Sequence, residues 1–187
     1  MANPTARHVT PGDLAGGNHA TVALAINQYD QIIQRIGANF IWVDRNGVDQ
    51  TGIANSTTTK VAFNHKQSDP DGVFDAVTNF RYQPNVAGTF LVCGSIRVSA
   101  AGANLTGVSA AIVAKNGSNI FESGVAVISS GAVLTDFASP FSSFVKMNGT
   151  SDFLEVNTFI GNSLGTGVGF VRGATTSTFW TAQRIGP

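Results

Sequence analysis

Gly88-Thr-Phe-Leu-Val-Cys-Gly-Ser-Ile-Arg-Val-Ser99 is the stretch that decides the fold. Phe90, Val92, Gly94, Ile96 and Val98 fall on one side of an extended chain, and Leu91, Cys93, Ser95 and Arg97 on the other. A period of two is the pleat of a strand that turns one face to a core. Working outward, alternating runs separated by turn residues recur at roughly 8–12-residue intervals, the spacing of a sandwich or barrel. They predict further strands near 59–64, 78–83, 106–115, 119–130, 138–147, 151–160, 166–172 and 176–184. Asn116-Gly117, between Lys115 and Ile120, reads as a hairpin connection, because Asn and Gly tolerate positive φ. Asn148-Gly149, between Met147 and Phe153, reads the same way, and Asp44-Arg-Asn-Gly47 is a further turn. Gly165, Gly167 and Gly169 weaken the strand near 166–172 and leave room for another backbone to come close.

The chain before these strands has a different period. Val22, Ile26, Tyr29, Ile33, Ile36 and Phe40 are spaced alternately four and three apart. That is the seam of a coiled coil, here about two and a half heptads long. So short a stripe asks for partner helices, and β-branched residues in the seam favour more than two strands. Asn18 or Thr21 can cap the helix start, and Gly37 weakens its end. Residues 1–18 hold Pro4, Pro11, Gly12, Gly16 and Gly17 without periodicity, which predicts an extended docking arm. The expected organisation is an arm over 1–18, a helical stem and connector over 19–47, and a β-rich head over 48–187. Phe40-Ile-Trp-Val43, inside the connector, has strand character.

Composition narrows the function classes. Charged residues are only 12%, with acids and bases balanced at 11 each, so no basic stripe for nucleic acid is visible. No apolar run approaches the ~18 residues needed to cross a bilayer. The N-terminus lacks the apolar region of a secretory signal, which points to synthesis in a cytoplasm. Phe numbers 13 against 2 Tyr and 2 Trp, which suits core filling rather than base stacking. Cys93, the single cysteine, excludes an intrachain disulfide and reads as a small buried thiol.

Several segments, in order, carry a resemblance to a known family. They are Phe74-Asp75, then Phe80-Arg-Tyr-Gln-Pro84-Asn-Val-Ala-Gly88-Thr-Phe90-Leu-Val, then Ala114-Lys-Asn116-Gly117. Phe153-Leu-Glu-Val-Asn and Ser177-Thr-Phe179-Trp-Thr-Ala follow. Together they resemble the globular head of complement subcomponent q and the tumour-necrosis-factor-like proteins, over about residues 50–187. Asn148-Gly149-Thr-Ser stands in place of that family's Gly-Asp turn, and Ala182 near its terminal Gly-Phe. There is no collagen-type Gly-X-Y run. The resemblance implies a ten-strand jelly-roll β-sandwich packed as a homotrimer through aromatic and apolar faces. The expected fold class is therefore mainly β, a jelly-roll head preceded by a short N-terminal α-helix that forms a trimeric coiled-coil stem.

Candidate sites are few. Asp69, Asp71 and Asp75 share one loop with Gly72, and clustered hard oxygens are what Ca²⁺ selects, so this is the candidate metal site. Its spacing is not that of an EF-hand, and an Asx-rich turn is the plain alternative. His8, His19 and His65 do not pair at i, i+4, which speaks against zinc from one chain. Ser139-Pro-Phe-Ser-Ser143 lacks a nucleophile elbow, and Glu122, Asp136, Asp152 and Glu155 are scattered. No catalytic residue, and no cofactor beyond a possible Ca²⁺, is expected.

The sequence points to a structural virion protein of a bacteriophage, a short fibre or capsid decoration assembled in the host cytoplasm. Residues 1–18 would dock on another virion protein, the stem would set trimer register, and the head would meet a host surface. The alternative is a trimeric carbohydrate- or protein-binding adhesin of cellular origin.

Overall fold

The computed structural model describes residues 39–100, 103–127, 134–164 and 168–187. The arm, and the stem positions Val22, Ile26, Tyr29, Ile33 and Ile36, lie outside the described residues. The chain divides into Met1–Gly37 and Ala38–Pro187, and the second unit is the head described below.

Strands follow one another with no helix among the described residues. In chain order they are β1 (Ile41–Asp44), β2 (Gln50–Ala54), β3 (Thr59–Lys60), β4 (His65–Ser68), β5 (Phe74–Asp75) and β6 (Arg81–Tyr82). The longer ones come next: β7 (Gly88–Ser99), β8 (Leu105–Lys115), β9 (Ser118–Val127), β10 (Asp136–Met147), β11 (Leu154–Asn162), β12 (Val168–Val171) and β13 (Phe179–Gly186). They form two antiparallel sheets. One has seven strands in the order β2-β12-β7-β13-β1-β4, with β10 along the other edge of β7. The other has six, ordered β5-β6-β11-β8-β9, with β3 also on β11.

β7 organises the first sheet because it is long enough to serve three neighbours. It pairs with β10 from Gly88 to Ser99, with β13 up to Ser95, and with β12 at Val98 and Ser99. Its alternation is as the sequence reads: Phe90, Val92, Ile96 and Val98 are fully buried, and Leu91, Cys93, Ser95 and Arg97 are half-buried on the opposite face. Gly94 has a close neighbour: a Cβ there would sit 2.3 Å from the Phe179 carbonyl oxygen and 2.8 Å from Trp180 Cα. Pro140 sits in β10, tolerated because β10 is an edge strand whose missing N–H costs no inner ladder bond.

The core between the sheets is built on Trp180. Its ring meets Phe63 at 6.2 Å, Phe74 at 5.9 Å and Tyr82 at 6.1 Å, and Tyr82 meets Phe90 at 5.8 Å. The Phe74, Tyr82 and Phe90 contacts are edge-on, which suits the ring quadrupoles, and burying each such side chain stabilises by about 1.5–3 kcal/mol. Tyr82 is polar at one end only, and its hydroxyl donates to the Asn39 carbonyl at 2.7 Å.

Three expectations change. Residues 41–44, read as part of the connector, form a strand that pairs with β13 and β4, so the sandwich takes in chain well before residue 48. β1, β2, β4 and β5 add to the nine strands read from the sequence, giving thirteen among the described residues where the resemblance implies ten. Asn116 and Gly117, at φ 53° and 80°, make the expected hairpin turn. Asn148-Gly149 does not, because β10 belongs to one sheet and β11 to the other. Asn148 Oδ1 instead accepts the N–H groups of Thr150, Ser151 and Asp152, capping a loop that crosses between layers. Gly169 does lie against another backbone: a Cβ there would meet the Ser99 carbonyl at 3.1 Å.

Candidate functional site

The sheet register carries side chains from distant parts of the chain onto one outward surface. Trp42 lies opposite Thr181, Thr181 opposite Cys93, and Cys93 opposite Ser142. In the next row Gln183 lies opposite Leu91 and Leu91 opposite Phe144. Phe179, Ser95 and Pro140 make a third row, and Ile185 stands beside a bulge at the end of β13. These rows are the reverse side of the strands whose inner residues fill the core, so the face is a consequence of the pleat.

Its chemistry is unusual for a solvated sheet. Trp42 is 44% exposed, Phe144 69% and Ile185 42%, and the rows of Trp42 and Leu91 contain no charged side chain. Charge appears in the third row, where Asp44 lies opposite Phe179 and is buried against His65, and at the margins, as Lys146 at one end and the Arg97–Asp136 pair, 3.4 Å apart, at the other. Aromatic and aliphatic groups enclosed by a polar rim are the composition of an interface core. Cys93, read as a buried thiol, is half-buried on this face instead, its Sγ 3.1 Å from Thr181 Oγ1.

The acidic loop is arranged differently from the metal-site expectation. Asp69 accepts the N–H groups of Val73 and Phe74, at 2.9 and 3.2 Å, and pairs with Lys66 at 2.8 Å. Asp71 Oδ2 accepts the Asn39 N–H at 2.6 Å. Asp75 accepts from the N–H groups of Val77, Thr78 and Asn79 and from the Asn79 side chain. The three carboxylates thus serve three separate local networks, and among the described residues no group of acids and histidines gathers around one point. The backbone donors of Thr78 and Val77 hold the Asp75 carboxyl far below the ordinary value of 3.8. Burial, then the charges of Asp71 and Asp69, push the Tyr82 hydroxyl far above its usual range.

Two further polar centres escaped the sequence reading. Asn39 is buried at a φ of 60°; its Oδ1 accepts from Asn85 and Val86, and its Nδ2 donates to Asn85 Oδ1 at 2.9 Å. Asp44 is fully buried beneath His65 Nδ1 at 2.9 Å and Gln67 Nε2 at 2.8 Å. Only the Asn at the edge of the heptad run could have marked the first.

Comparison with solved structures places the architecture. Murine APRIL is 10% identical with a TM-score of 0.53, over 78% of this chain and 98% of that one. Eiger TNF from S. frugiperda is 8% identical with a TM-score of 0.54, over 80% of this chain and 93% of that one. The fold is tumour-necrosis-factor-like. The globular domain of zebrafish complement 1qA is 13% identical over 79% of this chain and 97% of that one, with a TM-score of 0.48. No family model matches the sequence, and no curated protein does. The likeness covers the jelly-roll head, where the sequence segments suggested it.

Proposed function

We propose that this protein is a homotrimeric structural protein of a bacteriophage particle, a short fibre or capsid decoration that displays a jelly-roll head. The observation that supports self-association is the outward face centred on Trp42, Leu91 and Phe144, whose two rows hold no charged side chain; the viral role rests on the sequence reading of the arm and stem. A second copy is its natural occupant, because each copy presents the same apolar rows and hides them from water only in association. Three copies agree with the β-branched seam of Val22, Ile26, Ile33 and Ile36, which favours more than two helices. Residues 1–18 anchor the trimer to another virion protein, the stem holds register, and the head faces a host surface. The role is assembly and contact rather than catalysis.

Two measurements test it. Immunogold electron microscopy of purified particles should place the head on the virion, and its absence from particles sinks the viral reading in favour of a cellular adhesin. Removing residues 1–18 should abolish incorporation while leaving the head folded. Normal incorporation of the shortened chain would move the anchor into the head.

A further inference from the structure

A cleft of about 400 Å³ opens on the head between the 71–75 loop, the 81–85 segment and the turn at 149–150. That volume lies in the range of small-molecule sites. Its walls are braced by bonds already made. Asn39 ties Asp71 to Asn85, Gln83 Nε2 donates to the Thr150 carbonyl at 3.0 Å, and Asn148 Oδ1 holds the Thr150 N–H at 2.9 Å. The cleft therefore needs no rearrangement to accept a ligand, which lowers the cost of binding.

What the lining residues leave unspent defines the ligand. Among the described residues the Arg81 guanidinium makes no hydrogen bond and lies over the Phe153 ring, 4.6 Å from its centroid. Asp71 uses only Oδ2, leaving Oδ1 as an acceptor. Thr150 engages only its main chain, so its hydroxyl remains available to donate and accept. An anion would meet Asp71 and Asp75 in the same cleft, a cation would meet Arg81, and an apolar ligand would leave all of them unpaired. Hydroxyl groups both donate and accept, and a ring of them matches a mixed set of donors and acceptors without net charge.

We propose that this cleft binds a neutral saccharide, the chemistry by which the head would recognise a host surface glycan. The assignment rests on the reading of the head as host-facing, and it names the ligand class for that contact. Arg81 and Thr150 act as donors to sugar hydroxyls, and Asp71 Oδ1 as acceptor.

The test uses the full-length protein on immobilised maltose, lactose and N-acetylglucosamine oligomers, with sialyllactose and heparin as charged comparisons. Retention on at least one neutral sugar is expected. Arg81→Met keeps an apolar side chain over Phe153 and removes the donors; it should weaken that binding about tenfold, as should Thr150→Val. Melting temperature and sedimented mass should be unchanged, and if Arg81→Met does not fold, Thr150→Val decides alone. Binding confined to the charged probes, binding untouched by the folded variants, or no binding to any probe overturns the proposal. A virion-bound trimer that ignores every sugar fails this inference alone, whereas sugar binding by a monomer fails the assembly reading alone.

Discussion

The main-chain N–H of Asn39 donates to Asp71 Oδ2 at 2.6 Å, joining the residue that opens the sandwich to the acidic loop beside it. The same residue bonds Asn85 through its side chain and Tyr82 through its carbonyl, so one buried amide fastens three segments. Asn39→Ala keeps the main-chain bonds but strips partners from the N–H groups of Asn85 and Val86, and it leaves Ala at a φ of 60°. A loss of about 3 kcal/mol is expected in urea unfolding. A change within about 0.5 kcal/mol, the usual scale of surface substitutions, would show that the hub is dispensable.

Gly94 and Gly117 separate two reasons for a glycine. At Gly94 a Cβ would collide with the Phe179 carbonyl, so Gly94→Ala must push β13 away from β7, at a cost of about 3 kcal/mol or more. Gly117 faces open space at φ 80°, so Gly117→Ala incurs only backbone strain of about 1–2 kcal/mol. Thermal unfolding of the pair should rank them in that order.

Acid should destabilise the head below the ordinary aspartate value of 3.8. For Asp44, burial acts to raise the pKa, but bonds from Gln67, Asn46 and His65 outweigh it and the net shift is downward. Asp75 is lowered chiefly by the N–H groups of Thr78 and Val77. A carboxyl with a lower pKa folded than unfolded stabilises above its unfolded value, and that stability is lost as pH falls toward the folded one. Asp75→Asn should therefore flatten the acid limb of a stability–pH curve below pH 3.8. An unchanged limb would assign acid sensitivity elsewhere.

The legible part of the fold was the part with a strong period. Phe90, Val92, Ile96 and Val98 alternate because one face of β7 is core and the other is not. β2 and β4 are short and largely polar, β4 at a sheet edge, so Gln50–Ala54 and His65–Ser68 carry no alternation to read. Asn148-Gly149 has hairpin chemistry, yet local sequence does not say that its flanking strands join different layers. The outward face was hidden for the same reason. Trp42, Leu91 and Phe144 sit on three strands far apart in the chain, and only the register across β1, β13, β7 and β10 makes them one surface.

Asp69, Asp71 and Asp75 looked like cation ligands because spacing counts oxygens, not the hydrogen bonds those oxygens already accept. Their engagement with the Val73, Asn39 and Thr78 N–H groups predicts a melting temperature unchanged by calcium or by chelator. A chelator-induced fall, weakened in Asp71→Asn, would restore the calcium site.

Sedimentation equilibrium of the full chain at micromolar concentration tests the trimer most directly. Three copies of 19.4 kDa give about 58 kDa, and that mass is expected. Phe144 is 69% exposed in the single chain, so Phe144→Glu with Trp42→Glu should leave each head folded. The doubled variant should dissociate at higher concentration than the unaltered protein, since three pairs of carboxylates would enter a desolvated interface. An unaltered chain that sediments at 19.4 kDa would contradict the trimer, and a doubled variant with undiminished association would place the contact away from this face.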